Sequence, residues 1–316
     1  MEYTILGTTK IPRIAVGTWA WGTGFWGTNR IFGCRLQETD LRPVFRRAIA
    51  CGCTLWDTAP LYNNGASETI LGTLSASHSL QFSTKFLPLP FQTKGAMARS
   101  LQKSLTRLHT DHAELFWIDT PKHMEKWTKE LIPLMQSGKF RYCGVANHNL
   151  QEILQAEHLL HQAGLQLAAV QNHFSLLYRL PEEDGILDWC HQNGVVCFAY
   201  MVLEQGALTG RYTAEHPMPD HTRRGNAYPP VVLKRLRPLL SLMKRIGNRY
   251  DADAAQIAIA WAVAKGTVPI VGMTKPHHVT RDVAAVSIPL TPTEIALLER
   301  EAARTGVRIP GDWETA

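Results

Sequence analysis

Eight short apolar runs alternate with amphipathic segments along 316 residues, a rhythm that predicts an α/β fold: a (β/α)8 TIM barrel built as a single domain over residues 1–316. Three observations carry the prediction. The runs are β-branched or aromatic and apolar on successive residues, as strands buried on both faces are. The segments between them place apolar residues at helical spacing. Hydrophobic residues make up 45% of the chain, enough for a full core, and no linker-like stretch divides them. The competing architecture, a doubly wound open sheet, would carry Gly-x-Gly-x-x-Gly after its first strand. Here the first run leads into Gly17-Thr18-Trp19.

In chain order the predicted strands are residues 13–17, 54–57, 81–84, 114–118, 142–145, 168–171, 195–199 and 268–271. Amphipathic segments at 40–50, 96–108, 150–161, 183–192 and 254–264 are the predicted helices. Two stretches break the rhythm. Residues 204–230 are rich in Gly, Pro, His and Arg with little periodicity, and are expected to form a long loop of the kind that is usually functional. The tail after Arg304 is polar, with one Trp.

The formal net charge is +6, but no run of Lys and Arg is long enough to track nucleic acid. A mildly basic surface suits an anionic small ligand such as a phosphorylated cofactor. The cysteines (Cys34, Cys51, Cys53, Cys143, Cys190 and Cys197) include no Cys-x-x-Cys pair, which points to reduced thiols. No apolar run reaches the ~20 residues that span a bilayer, and the N-terminus lacks a basic start followed by an apolar stretch. A cytoplasmic protein with neither membrane nor nucleic-acid partner is expected. The histidines show no metal-ligand spacing, and no metal is expected.

In a barrel of this kind the active site lies at the C-terminal ends of the strands. Just past those ends stand Gly17-Thr18-Trp19, Asp57 with Tyr62, Lys85, Asp119, Ala146-Asn147, Gln171-Asn172, Tyr200 and Gly272-Met273-Thr274-Lys275. Each of these residues alone would be a solvated boundary group. A ring of polar and aromatic groups on otherwise apolar strands is harder to explain that way.

These residues lie in recognisable segments. LWDTAPLYNNGASETILG (residues 55–72) and FSTKF (82–86) resemble the aldo/keto reductase family. The resemblance continues through SGKFRYCGVANHN (137–149), VQNHFSLLYR (170–179), AYMVLEQGALTGRY (199–212) and QIAIAWAVAKGTVPIVGMTKPHHV (256–279), in family order. GALTGRY and the long loop are most similar to the branch of potassium-channel β-subunit-like and bacterial reductases.

The resemblance implies that Asp57, Tyr62 and Lys85 are catalytic. A ketone that receives hydride develops negative charge on oxygen and must be protonated. The pKa of a free Tyr is about 10, and a nearby ammonium such as Lys85 would lower it. Asp57 would hold Lys85 in place. The fourth catalytic position departs from the family, which carries His where LFWIDTP has Asp119. An ionised Asp119 would repel an oxyanion. A protonated one would donate a strong hydrogen bond, as a neutral aspartic acid does in ketosteroid isomerase. Family members that reduce steroid double bonds carry Glu there, so both a carbonyl and a conjugated C=C (enone) remain open as the reduced group. So does a nicotinamide-binding regulatory subunit with little turnover. Alternatively, Asp119 simply pairs with Lys85 or His123.

By the same resemblance Asn147 and Gln171 bind the nicotinamide carboxamide and Tyr200 stacks on its ring. Gly17, Thr18 and Leu203 border the cofactor. Gly272, Thr274, Lys275, His278, Arg281 and Asp282 serve the adenosine phosphates. Lys275, His278 and Arg281 are candidates for a 2′-phosphate, which favours NADPH/NADP+, although the family often has Glu and Asn where Arg281 and Asp282 stand. Trp19, Trp26 and Thr120 are expected to wall the substrate pocket.

Overall fold

The structure is a computed structural model that describes residues 1–24 and 28–310. Strands β1 (Tyr3–Leu6) and β2 (Thr9–Pro12) form an antiparallel hairpin. Eight parallel strands then close a barrel in sequence order. They are β3 (Ala15–Gly17), β4 (Leu55–Asp57), β5 (Gln81–Phe86), β6 (Ala113–Asp119), β7 (Phe140–Ala146), β8 (Ala169–His173), β9 (Val196–Tyr200) and β10 (Val268–Gly272). β10 pairs back onto β3, with Gly272 opposite Gly17. All eight predicted runs are strands, with ends displaced by a few residues at most.

The hairpin was not expected from the sequence. Its four-residue strands mix polar and apolar groups and give little signal. Leu6 and Ile11 bury with Ala15, Leu55, Leu115, Trp117, Ala169, Phe198 and Val268, so the hairpin plugs the N-terminal end of the barrel. Inside, the Trp117 indole meets Phe198 edge-on at 5.5 Å. Gly144 makes room for it, since a Cβ there would lie 2.4 Å from the Trp117 ring. Barrel interiors are filled by side chains in this way.

Helices cover the outside. The expected ones appear as Glu38–Ala50, Ala96–Leu108, Leu150–Gln162 and Ala254–Ala264. The segment expected at 183–192 is instead two pieces, Leu180–Glu183 and Ile186–Asn193, separated at Gly185 with φ 77°. Ala66–Ser75, Met124–Gln136, Pro230–Gly247, Pro276–Ala285 and Pro292–Thr305 are further helices. Met124–Gln136 and Pro230–Gly247 contain Pro133 and Pro238, residues that ordinarily argue against a helix interior. The long loop keeps most of its irregular character. It holds a 3-10 turn at Glu204–Thr209 and a short helix at Arg223–Ala227. Among the described residues no helix is long and apolar enough to cross a membrane, and no cluster of His, Cys, Asp and Glu could hold a metal.

Candidate active site

Asp57 ends β4, and its carboxylate collects donors from two other strands. Oδ2 accepts from Lys85 Nζ at 2.5 Å, and Oδ1 accepts from Ser83 Oγ at 2.9 Å and Gln171 Nε2 at 3.1 Å. Ser83 in turn accepts from Trp117 Nε1 at 2.6 Å, which ties the ion pair to the barrel interior. Both charges are buried. Lys85 also donates to the Thr58 carbonyl at 3.2 Å. Burial disfavours its ammonium, but Asp57, with Tyr62 and Asp119, outweighs that and holds Lys85 above its usual range.

Tyr62 opens a tight turn, Tyr62–Gly65, in which Asn63 (φ 52°), Asn64 (φ 56°) and Gly65 (φ 87°) are successively left-handed. Asn and Gly tolerate that conformation. The buried Asn63 side chain holds the turn against the loop after β3. It accepts from Gly24 N at 3.1 Å and Thr28 N at 3.0 Å, and donates to the Trp21 carbonyl at 2.7 Å and Thr28 Oγ1 at 2.8 Å. Asn63 was not singled out in the sequence, although the Asn-Asn-Gly run is the signal that could have found it.

Lys85 Nζ lies 5.4 Å from the centroid of the Tyr62 ring. Burial pushes the phenol above its ordinary value; Lys85 pulls it down, and Asp57 and Asp119 push it up again. Lys85 therefore acts in the expected direction, but desolvation is larger and the net shift is upward.

Asp119 ends β6. Its Oδ1 accepts from Asn147 Nδ2 at 2.7 Å, and Asn147 Oδ1 accepts from Tyr200 OH at 2.6 Å. Among the described residues Asp119 forms this chain and no ion pair with Lys85 or His123. Burial pushes its carboxyl up to about 6, against the pull of Lys85 and Asn147 and with a push from Asp57. Thr120 follows with φ 83°, a strained conformation for a β-branched residue, and lines the same cavity.

One cavity of about 1670 Å³ joins this cluster to the far end of the barrel mouth. Its reactive end is lined by Trp19, Tyr62, Lys85, Asp119 and Thr120, with Asn147, Gln171 and Tyr200 beside them. Gly17, Leu203, Gly272, Thr274, Lys275, His278, Arg281 and Asp282 line the rest. Trp19 stacks on Tyr62, with centroids 6.1 Å apart. Trp26 lies outside the described residues.

Thr18, expected at the cofactor, does not border the cavity. It is fully buried, donates to the Asp57 carbonyl at 3.0 Å and accepts from Ser67 Oγ at 2.8 Å, so it braces β4 instead. The expected cations also differ in kind. Arg281 is already paired, with Asp282 at 2.9 Å and Asp253 at 3.1 Å. Burial, together with Arg281, His277, Lys275 and Arg211, pushes His278 down to about 4, so it faces the cavity as a neutral ring.

Glu204 was also missed. It is buried and accepts from His173 Nε2 at 2.9 Å, from Ser175 Oγ and from Tyr228 OH. His173 stacks beneath Tyr200 at 5.7 Å. Glu204 thus fastens both ends of the long loop to the strand ends that carry the site.

The donor set fits a phosphorylated nicotinamide cofactor: amides and an aromatic ring at one end of an elongated cavity, cations at the other. An eight-stranded barrel with an Asp–Tyr–Lys cluster at its C-terminal rim defines an oxidoreductase class, and comparison with known proteins gives the family. The profile of the aldo/keto reductase family matches residues 13–302, and the chain belongs to that family. It is 30% identical to the chloroplastic pyridoxal reductase of Arabidopsis thaliana, over 94% of this chain and 85% of the relative. A thermostable aldo-keto reductase solved with the inhibitor epalrestat is 26% identical, with a TM-score of 0.76, over 95% of this chain and 100% of that one. An aldo-keto reductase of Klebsiella pneumoniae solved with NADPH is 25% identical, with a TM-score of 0.70, over 93% of this chain and 92% of that one.

Proposed function

We propose that this protein is an NADPH-dependent reductase of the carbonyl group of a small organic substrate, with Tyr62 as the proton donor. The observation that carries the reading is the Asp57–Lys85–Tyr62 cluster, placed at one end of a cavity whose other end bears Lys275 and Arg281. When bound there, NADPH supplies a hydride.

The residues divide the remaining work. Tyr200 offers a flat ring against which a nicotinamide can lie, and the amides of Asn147 and Gln171 orient its carboxamide. Asp57 fixes Lys85 and keeps it charged. Tyr62 holds its proton at rest because burial raises its pKa. As negative charge develops on the substrate oxygen, the phenol gives up that proton and Lys85 stabilises the phenolate left behind. Trp19, stacked on Tyr62, closes the pocket on that side. The six free thiols suit a reducing compartment, and we place the protein in the cytoplasm.

The test is NADPH titration by fluorescence followed by turnover with a carbonyl panel. Micromolar binding is expected, and its absence would refute the cofactor assignment. Tyr62→Phe should lower kcat by ~10²–10⁴ without weakening NADPH binding. Full activity in that variant would refute the proton-donor role.

One observation favours a second reading. With its carboxyl pushed up to about 6, Asp119 has its protonated form within reach near neutral pH. Protonated, it would polarise the oxygen of an enone and direct hydride to the C=C bond. Product analysis with a matched ketone and enone separates the two. Saturated ketone as the main product would favour this second reading.

A further inference from the structure

The cavity that contains Tyr62 is also bordered by Arg224, on the short helix Arg223–Ala227. Its guanidinium lies between two aromatic faces, with Cζ 5.1 Å from the Tyr212 centroid and 5.8 Å from that of Phe32. Phe32 meets Trp19 edge-on at 5.2 Å, and Trp19 stacks on Tyr62 at 6.1 Å. Arg224 therefore stands two aromatic rings away from the phenol. A guanidinium held between rings is pre-organised, because its plane is fixed before any ligand arrives.

Four other half-buried arginines have a counter-charge, whereas Arg224 has none among the described residues. Arg13 pairs with Glu2, Arg107 with Glu68, Arg179 with Glu182 and Glu299, and Arg281 with Asp253 and Asp282. Among the described residues no carboxylate pairs with Arg224, and its Nε is shut from solvent without a hydrogen-bond partner. Three acids of the cavity wall are engaged elsewhere: Asp57 with Lys85, Asp282 with Arg281, Asp119 with Asn147. A cation drawn out of water without acceptors is unfavourable, and a ligand that supplies anionic oxygens relieves it. The field of Arg224 is felt nearby. The Cys34 thiol is pushed up by burial and pulled down by Arg224.

Resting on the carbonyl-reductase reading above, we propose that Arg224 recognises an anionic group on the substrate. The favoured substrates are then carbonyl compounds that also carry a carboxylate or phosphate, which reaches Arg224 while the carbonyl lies at Tyr62. The same chemistry could come from a cofactor phosphate, because Tyr212 also lies under Arg211, 5.4 Å from its Cζ. The experiment must therefore separate the two sources.

Kinetics with NADPH on 4-oxobutanoate and on its methyl ester change only the charge. The wild type should favour the acid. Arg224→Met should lose ~10- to 100-fold in kcat/KM on the acid, the range of a hydrogen-bonded charge, and change little on the ester or in NADPH affinity. Arg224→Lys should recover part of the loss. Equal use of acid and ester by the wild type overturns the proposal. So does an Arg224→Met variant that weakens NADPH and slows both substrates alike, which would assign the residue to the cofactor.

Calorimetry of succinate binding, with and without NADPH, needs no turnover. Succinate bound by the wild type and lost in Arg224→Met supports the anion site even if neither aldehyde is reduced, an outcome that would refute the reductase reading alone. No succinate binding at millimolar concentration overturns the anion site.

Discussion

Replacing Asp119 by Asn should stabilise the fold at neutral pH and leave it unchanged in acid. The wild-type carboxyl is raised from 3.8 to about 6, chiefly by burial. A raised carboxyl works against the folded state only when it is ionised. Its cost is absent below about pH 4, grows between the two values and is complete above about pH 6. At ~1.4 kcal/mol per pH unit between the two values, the full cost is ~3 kcal/mol. Water in the adjoining cavity reduces this, so ~1–3 kcal/mol is the expected gain for Asp119→Asn at pH 7.5. The substitution keeps the partner, because the Oδ1 of Asn can still accept from Asn147 Nδ2. Urea unfolding of both proteins at pH 4, 6 and 7.5 gives the difference directly, since every other titrating group is common to both. Curves that converge at pH 4 and separate as pH rises are expected. A variant less stable than wild type at pH 7.5, or a difference independent of pH, would refute the reasoning and place Asp119 in a stabilising ion pair.

Two further outcomes concern the frame around the site. Gly144→Ala should cost ~1–3 kcal/mol by urea unfolding, because its Cβ would come within 2.4 Å of the Trp117 ring; an unchanged midpoint would mean the barrel interior yields easily. Arg107→Met should cost ~3 kcal/mol, because it strips the charge partner from the fully buried Glu68 and leaves that carboxylate only Thr84 Oγ1 at 2.7 Å; replacing Glu68 by Met as well should recover part of the loss, as the same denaturation series would show.

Burial on both faces is what made the barrel legible. A strand covered inside and out is apolar at every position, so the runs stand out without any need for alternation. At two of the ends that were missed, a polar residue sits on the strand. Arg141 is exposed on β7, and Asp119 closes β6. The residues that gather at the rim were legible for the same reason: they interrupt apolar runs. Ser83, Asn63 and Glu204 were not, because their meaning lies in distant partners. Ser83 joins Trp117 to Asp57, Asn63 joins Trp21 and Thr28, and Glu204 joins His173 and Tyr228. Thr18 was misplaced for a related reason. Its neighbours Gly17 and Trp19 face the cavity, while its own side chain turns to the Asp57 carbonyl and Ser67.

The upward shift of Tyr62 fits better with proton donation than the downward one expected from Lys85 alone. A proton donor has to keep its proton until charge appears on the substrate. Burial secures that by making the resting phenolate unfavourable, and Lys85 lowers the energy of the phenolate once the proton has left. The two effects act at different points along the reaction, so they do not cancel. Asp119 behaves in the opposite way. With its carboxyl at about 6 it is mostly ionised at neutral pH, and only a minority carries a proton at rest. Its hydrogen bond from Asn147, which in turn accepts from Tyr200, places its charge in the group of residues that would meet the nicotinamide. The two acids therefore differ at rest: Tyr62 is the group that arrives protonated, and Asp119 is mostly the charged one beside it.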